Sequence, residues 1–175
     1  MNTARIEIIQ GDITKSEVDA IVNAANTSLL GGGGVDGAIH MAAGSALLAE
    51  CRTLGGCKTG EAKITRGYRL PAKFVIHTPG PRYKDGKHNE PELLASCYRN
   101  CLKLAVENHC ATVDFPSIST GVYSFPLNDA AKIAVRTLAE TLEHNTTIKR
   151  VRMVCFDQKT KTAYEKALAE LQAEE

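Results

Sequence analysis

The chain has 175 residues, 43% of them apolar, and its 21 Lys and Arg nearly balance its 20 Asp and Glu to a formal net charge of +1. These are globular proportions, which exclude an intrinsically disordered chain, and the length suits one domain spanning 1–175. The charge balance lacks the clustered cations a nucleic-acid duplex demands, so nucleic acid is not expected as the main partner.

No apolar run approaches the roughly 18 residues of a membrane helix. The first ten residues contain Arg5 and Glu7 in place of a signal peptide's apolar core. The expectation is a soluble, cytoplasmic protein with no membrane partner, starting near Met1. Residues 5–10 (RIEIIQ) alternate polar and apolar and stop at Gly11, which predicts a strand. Residues 19–23 (DAIVN) are a short β-branched run and predict a buried strand. A glycine-rich loop follows over 27–34. Residues 35–54 read as helix, broken near Gly44 and ended by Gly55 and Gly56. Residues 62–66 and 73–78 predict two strands around a turn containing Gly67 and Pro71. Pro91 suits the first turn of a helix, where its missing N–H costs nothing. Leu94, Cys97, Tyr98, Cys101, Leu104 and Ala105 then recur at helical spacing. Residues 112–115 (TVDF) predict a strand ended by Pro116. A second glycine-containing loop, 117–125, leads through Pro126 into a helix with Ala130, Ile133, Ala134, Leu138 and Leu142 on its buried face. Residues 150–156 (RVRMVCF) and 159–171 predict a last strand and a last amphipathic helix.

About six strands interleaved with helices make an α/β chain, read as one three-layer α/β/α domain. In such sheets ligands bind beyond the carboxyl ends of strands. Both glycine-containing loops follow a predicted strand and precede a helix. Gly31, Gly32, Gly33 and Gly34 cost backbone entropy on folding, which a chain accepts where φ must be positive or something must come close. The free N–H groups of a helix start favour an anion, and Ser119, Thr120 and Gly121 add hydroxyls and amides to the second loop. Two such loops could grip a diphosphate from both sides. Asn23 and Asn26 stand beside the first loop. Asp36 opens the next helix as a dipole partner or cap, yet an acid there repels an anionic ligand, which points to work on a water or hydroxyl near the phosphate. Asp12 could cap a turn or accept from the exocyclic amine of a base. Phe156 could be core or a stacking platform. The six cysteines show no zinc spacing and read as buried small hydrophobes. The five histidines show no ligand spacing and are assigned structural or surface roles, His40 being the least settled.

The stretches GDIT (11–14), VDAIVNAAN (18–26) and GGGGVDGAIH (31–40), with ISTGVY (118–123), LPAK (70–73) and His77-Thr78, closely resemble the macrodomain family. More narrowly the chain resembles the MacroD-type subclass, to which bacterial O-acetyl-ADP-ribose deacetylases also belong. The resemblance runs from about Arg5 to the final helix and implies a mixed central sheet with an ADP-ribose pocket. It implies that Asp12 reads the adenine amino group beside the Ile13 backbone and that Phe156 lies against adenine. Gly32, Gly33, Gly34 and Val35, with Ser119, Thr120, Gly121, Val122 and Tyr123, would wrap the diphosphate and distal ribose, Tyr123 packing on that ribose. Asn26 and Asp36, ten positions apart, would mark a hydrolase. That enzyme would deacetylate O-acetyl-ADP-ribose and reverse mono-ADP-ribosylation on protein Glu or Asp, with modified proteins as partners and no metal or cofactor. Asn26 would hold a ribose hydroxyl, and Asp36 would orient or activate water unless a substrate phosphate takes the proton. The competing reading is a non-catalytic ADP-ribose reader, which needs neither residue beside the distal ribose. Met41, Glu61, Pro79 and Ser124 depart from common family residues, Ser124 within the phosphate loop.

Overall fold

Short β-branched runs and longer helical stripes alternate along the chain and fold as six strands and five helices. The structure is a computed structural model describing residues 1–175. The strands are β1 (Ile6–Gln10), β2 (Ala20–Ala25), β3 (Lys63–Arg66), β4 (Phe74–Pro79), β5 (Thr112–Phe115) and β6 (Arg150–Cys155). The helices are α1 (Gly34–Ala43), α2 (Ser45–Arg52), α3 (Glu90–Glu107), α4 (Leu127–Glu143) and α5 (Gln158–Ala173). One mixed sheet runs in the order β1-β6-β5-β2-β4-β3. All its neighbours are parallel except β3, which pairs antiparallel with β4.

Side chains of a strand alternate between sheet faces, and β2 shows how this makes three layers. Ala20 and Val22 join a 30-residue core with α3, α4 and α5, whereas Ile21 and Ala25 join a 14-residue core with α1 and α2. The intervening Asn23 therefore faces α1 and α2. In β4, Ile76 belongs to the larger core and Val75 to the smaller, which puts His77 on the same face as Asn23. The two residues are also register partners across β2 and β4.

The expected elements appear with small shifts at their ends. Strand β2 runs two residues beyond the predicted run, because Ala24 and Ala25 pair with Thr78 and Pro79. The helical break falls at Gly44, whose φ of +87° is a conformation few side chains accept. A 3-10 turn at Ile13–Lys15 was not expected from the pattern. The alternating cations of β6 have a specific use. Arg152 donates from Nε and Nη2 to the two oxygens of the fully buried Asp114, at 3.0 and 2.7 Å. These residues are register partners, so the ladder aligns the fork with the carboxylate. All six cysteines are buried and unpaired, and burial pushes the Cys51 and Cys97 thiols up to about 11. No helix is long and apolar enough to cross a membrane.

Candidate active site

The sheet reverses its direction of growth between β2 and β5. After β2 the chain adds β4 and β3 on one side; after β5 it adds β6 on the other. The loop leaving β2 climbs to α1 in one helical layer, and the loop leaving β5 climbs to α4 in the other. The β2–β5 ladder is short, pairing only Ala20 with Val113 and Ile21 with Asp114. Beyond Ile21 no further pair joins the two strands, and their carboxyl ends are the ordinary place for a ligand in such a sheet.

Four neighbouring parallel strands deliver the sequence-selected residues to this edge. In sheet order these are Asp12 after β1, Phe156 after β6, the second loop after β5, and Asn26 with the glycine loop after β2. Adjacent strands are about 4.8 Å apart, so the row spans roughly 14 Å. Asp12 caps the 3-10 turn, its Oδ1 accepting from the Thr14 N–H at 3.0 Å and the Thr14 hydroxyl at 2.7 Å. The Thr14 hydroxyl and amide bonds hold its carboxyl below the usual range. Ile13, in that turn, is buried. Phe156 is 81% exposed, so it is not a core residue. The Gly11 N–H donates to Cys155 O at 2.9 Å, which ties the Asp12 and Phe156 strand ends together.

In the first loop the glycines do different jobs. Gly31 and Gly34 take φ values of +93° and +58°. Gly33 is the N-cap of α1, no side chain caps the helix, and a Cβ there would meet nothing within 4 Å. The N–H groups of the first turn, including that of Val35, therefore have no intrahelical partner. Gly32 is needed for space: a Cβ would lie 3.1 Å from Asp36 Oδ2 and 3.4 Å from Asn26 Nδ2. Asn26 organises this loop. Its Oδ1 accepts from the Ser28 N–H and hydroxyl and the Leu29 N–H, and its Nδ2 donates to Gly31 O at 2.8 Å. One amide N–H remains for another partner.

Asp36 is not a simple helix cap. It is only 4% exposed, and its Oδ1 accepts from Asn23 Nδ2 at 2.8 Å. His40 Nε2, one turn on, lies 3.5 Å from the same oxygen without hydrogen-bond geometry. Burial pushes the carboxyl above its usual range, against the downward pull of the Asn23 hydrogen bond and His40.

The second loop is held from both ends. Phe125 N–H donates to Ser119 O and Ser124 N–H to Gly121 O, each at 2.9 Å. Ser119 and Ser124 both have positive φ, +67° and +63°. The Ser124 departure is thus a side chain in a conformation that favours glycine. The Thr120 hydroxyl, expected to be available, is bonded to the Ser117 hydroxyl at 2.7 Å, and Ser117 reaches Tyr164 at 2.8 Å. Ser119 Oγ is buried and unpaired. At the tip Gly121 has open space at its Cβ position and Val122 is 96% exposed. Tyr123 accepts from the Tyr83 N–H through its carbonyl at 2.8 Å, and the Arg82 guanidinium lies over its ring at 5.0 Å.

Sequence reasoning set Asn23 beside the loop; the structure places it inside β2, fully buried, with its amide joined to both Asp36 and His77. A lone polar residue in an apolar run was the available signal. Asp85, His88 and Glu90 are the one trio near enough to suggest a cation. Glu90 is already committed, its two oxygens accepting from the backbone N–H groups of Lys84, Asp85, Gly86 and His88.

The comparisons with known proteins agree with this architecture. The Macro domain family model matches residues 22–134. A Lactiplantibacillus plantarum macro domain-containing protein is 66% identical over 169 residues, covering 95% of this chain and 97% of its own length. A Salmonella typhimurium protein named O-acetyl-ADP-ribose deacetylase is 52% identical over 172 residues, covering 96% of each chain. A macrodomain variant from Oceanobacillus iheyensis, solved with ADPR, superimposes with a TM-score of 0.93 at 43% identity, over 99% of this chain and 97% of its own. With the sheet, the two loops and the match over most of its length in agreement, this chain belongs to the macrodomain family.

Proposed function

We propose that this chain is a hydrolase that binds ADP-ribose in the β2–β5 crevice and removes acyl esters from its distal ribose. Its substrates are O-acetyl-ADP-ribose and proteins mono-ADP-ribosylated on Glu or Asp. The observation that carries the reading is Asp36: a buried carboxylate, with raised pKa, at the uncapped start of α1. A site built only to hold an anion gains nothing from a negative charge in that place. The same residue type suits a group that orients or activates water.

The roles follow the strand order. Asp12 reads the adenine amino group through its outward carboxylate, beside the Ile13 backbone, and exposed Phe156 supplies an aromatic face. Gly32, Gly33, Gly34 and Val35 on one side and Ser119, Thr120, Gly121, Val122 and Tyr123 on the other enclose the diphosphate and distal ribose with backbone N–H groups. Thr120 contributes through its backbone, its hydroxyl being engaged with Ser117. Asn26 steadies a ribose hydroxyl with its remaining N–H. Asp36 orients water towards the ester, and hydrolysis yields ADP-ribose and a free carboxylate. Fixed loops on both sides of the diphosphate supply the positioning. The charge balance fits a cytoplasmic enzyme acting on a small ligand or a modified side chain.

Calorimetric titration with ADP-ribose and acetate release from O-acetyl-ADP-ribose test the reading together. Binding with acetate release supports it; binding without release on either ester class reduces the chain to a reader. The pH dependence is set by Asp36, which faces Asn23, His40 and, beyond Asn23, His77. Hydrolysis that needs the ionised carboxylate falls as pH drops through its folded pKa, so the acid limb of the rate profile lies above an ordinary aspartate's value of about 3.9. A raised folded pKa also means that the native state holds this proton more tightly than the unfolded chain. Stability from Asp36 is then present below the unfolded pKa and is lost as pH rises through the folded one. Asp36→Asn is accordingly expected to raise the melting temperature at neutral pH while abolishing hydrolysis; calorimetry at pH 7 checks the sign.

A further inference from the structure

We infer that His77 is a positioning residue for Asp36, fixing the direction of the Asn23 amide so that an N–H, and not the carbonyl oxygen, meets the Asp36 carboxylate. The inference rests on the reading of Asp36 as the working carboxylate. It concerns a residue of β4, outside both loops in the chain, that sequence reasoning assigned a structural or surface role.

The chain of hydrogen bonds starts at β3 and runs inward. Arg66 O, 3.1 Å from the Thr65 hydroxyl, is a carbonyl that can only accept, and we assign the one hydroxyl proton to it. His77 Nε2 lies 2.9 Å from Thr65 Oγ1, which can then only accept, and Nε2 carries the ring proton. Burial holds the His77 pKa down to about 3, with His40 pushing the same way, so the ring stays neutral and Nδ1 keeps its lone pair. Nδ1 lies 3.2 Å from Asn23 Nδ2, which donates to it. The second N–H of the same nitrogen donates to Asp36 Oδ1 at 2.8 Å. The chain thus has one direction, from Arg66 O through Thr65, His77 and Asn23 to the carboxylate. Cys51 Sγ, 3.8 Å from Nε2, and His40 are the other titratable groups around the ring.

The alternative arrangement shows what His77 prevents. An amide turned by 180° would set Oδ1 against the Asp36 oxygen and against the Nδ1 lone pair. It would leave Asp36 without its close donor. That turned amide becomes favourable only with a proton on His77 Nδ1 and another on Asp36. The observed orientation leaves Asn23 Oδ1 buried and unpaired. An orphaned buried acceptor is unfavourable, a cost the site accepts to keep both N–H groups on His77 and Asp36. Asn23 and His77 are register partners on one face, so the backbone ladder sets their spacing.

The test uses the whole chain. His77→Leu removes the acceptor and is expected to lower single-turnover hydrolysis about tenfold, with ADP-ribose affinity unchanged within about twofold. His77→Asn restores an acceptor near the Nδ1 position and recovers most of that loss. Thr65→Val keeps the shape but frees the tautomer, and costs a few-fold. In an Asp36→Ala background His77→Leu adds nothing to the residual rate. Parent-like turnover in a folded His77→Leu protein, or additive losses with Asp36→Ala, overturns the positioning role. Full activity of Asp36→Ala alone overturns the functional reading beneath it, so the two failures are distinct. If His77→Leu does not fold, nitrogen NMR of the parent decides: protonated Nε2 with bare Nδ1 supports the assignment, and the reverse tautomer overturns it.

Discussion

Asp36→Ala is expected to cut ester hydrolysis by about a hundredfold or more, while ADP-ribose affinity stays within about tenfold, or about 1.4 kcal/mol. The asymmetry comes from where Asp36 sits. It is buried beneath the glycine loop, in the proposed role it acts on a water near the distal ribose, and it carries the same sign of charge as the diphosphate. Removing it takes away positioning for the reaction and relieves repulsion in binding, so the two readouts move apart. The fold should survive, because burial raises the Asp36 pKa and the carboxylate is a stability cost at neutral pH. Single-turnover rates and calorimetric affinities on the same preparations check both halves. Equal turnover in the variant and the parent would remove Asp36 from the mechanism.

Gly33→Glu is expected to do the opposite, abolishing binding in a protein that still folds. Gly33 has φ −93° and ψ −173°, extended backbone that any residue adopts, and its Cβ position has nothing within 4 Å. Folding therefore has little to lose beyond a slightly poorer N-cap. The open space lies at the start of α1, where a diphosphate would meet uncapped N–H groups. A glutamate there adds bulk and a negative charge, and like-charge contact costs several kcal/mol, at least about a hundredfold in affinity. Gly33→Gln separates the two effects: it keeps the bulk without the charge and should lose less. Undiminished ADP-ribose binding by Gly33→Glu, with an unchanged melting temperature, would show that the diphosphate lies elsewhere.

Much of this was legible because local patterns settle local structure. The alternation in RIEIIQ and the β-branched core of DAIVN marked strands, and Gly44 marked the helical break where φ turns positive. The position of the glycine loop between a strand and a helix placed it at a carboxyl edge, and the strand order set Asp12, Phe156 and both loops along one row. Hydrogen bonds between distant residues were not legible. Asn23 and His77 are 54 positions apart, and only the parallel ladder of β2 with β4 makes them neighbours. The same holds for Asp114 and Arg152, where the sequence showed an alternating cation but not the buried acid it serves. Thr120 looked available because Ser117 and Tyr164, which engage its end of the loop, come together only in the folded chain. Asn26 was read as a ligand group, and its bond to Gly31 O, which shapes the loop, was not legible.

Hydrolysis through Asp36 is tested by single-turnover release of ADP-ribose from a protein mono-ADP-ribosylated on glutamate, with the parent chain and Asp36→Ala side by side. Release by the parent and at least about a hundredfold less by the variant is expected, on the scale of losing a positioned acid–base group. A parent that binds ADP-ribose and releases none from the glutamate ester would contradict it.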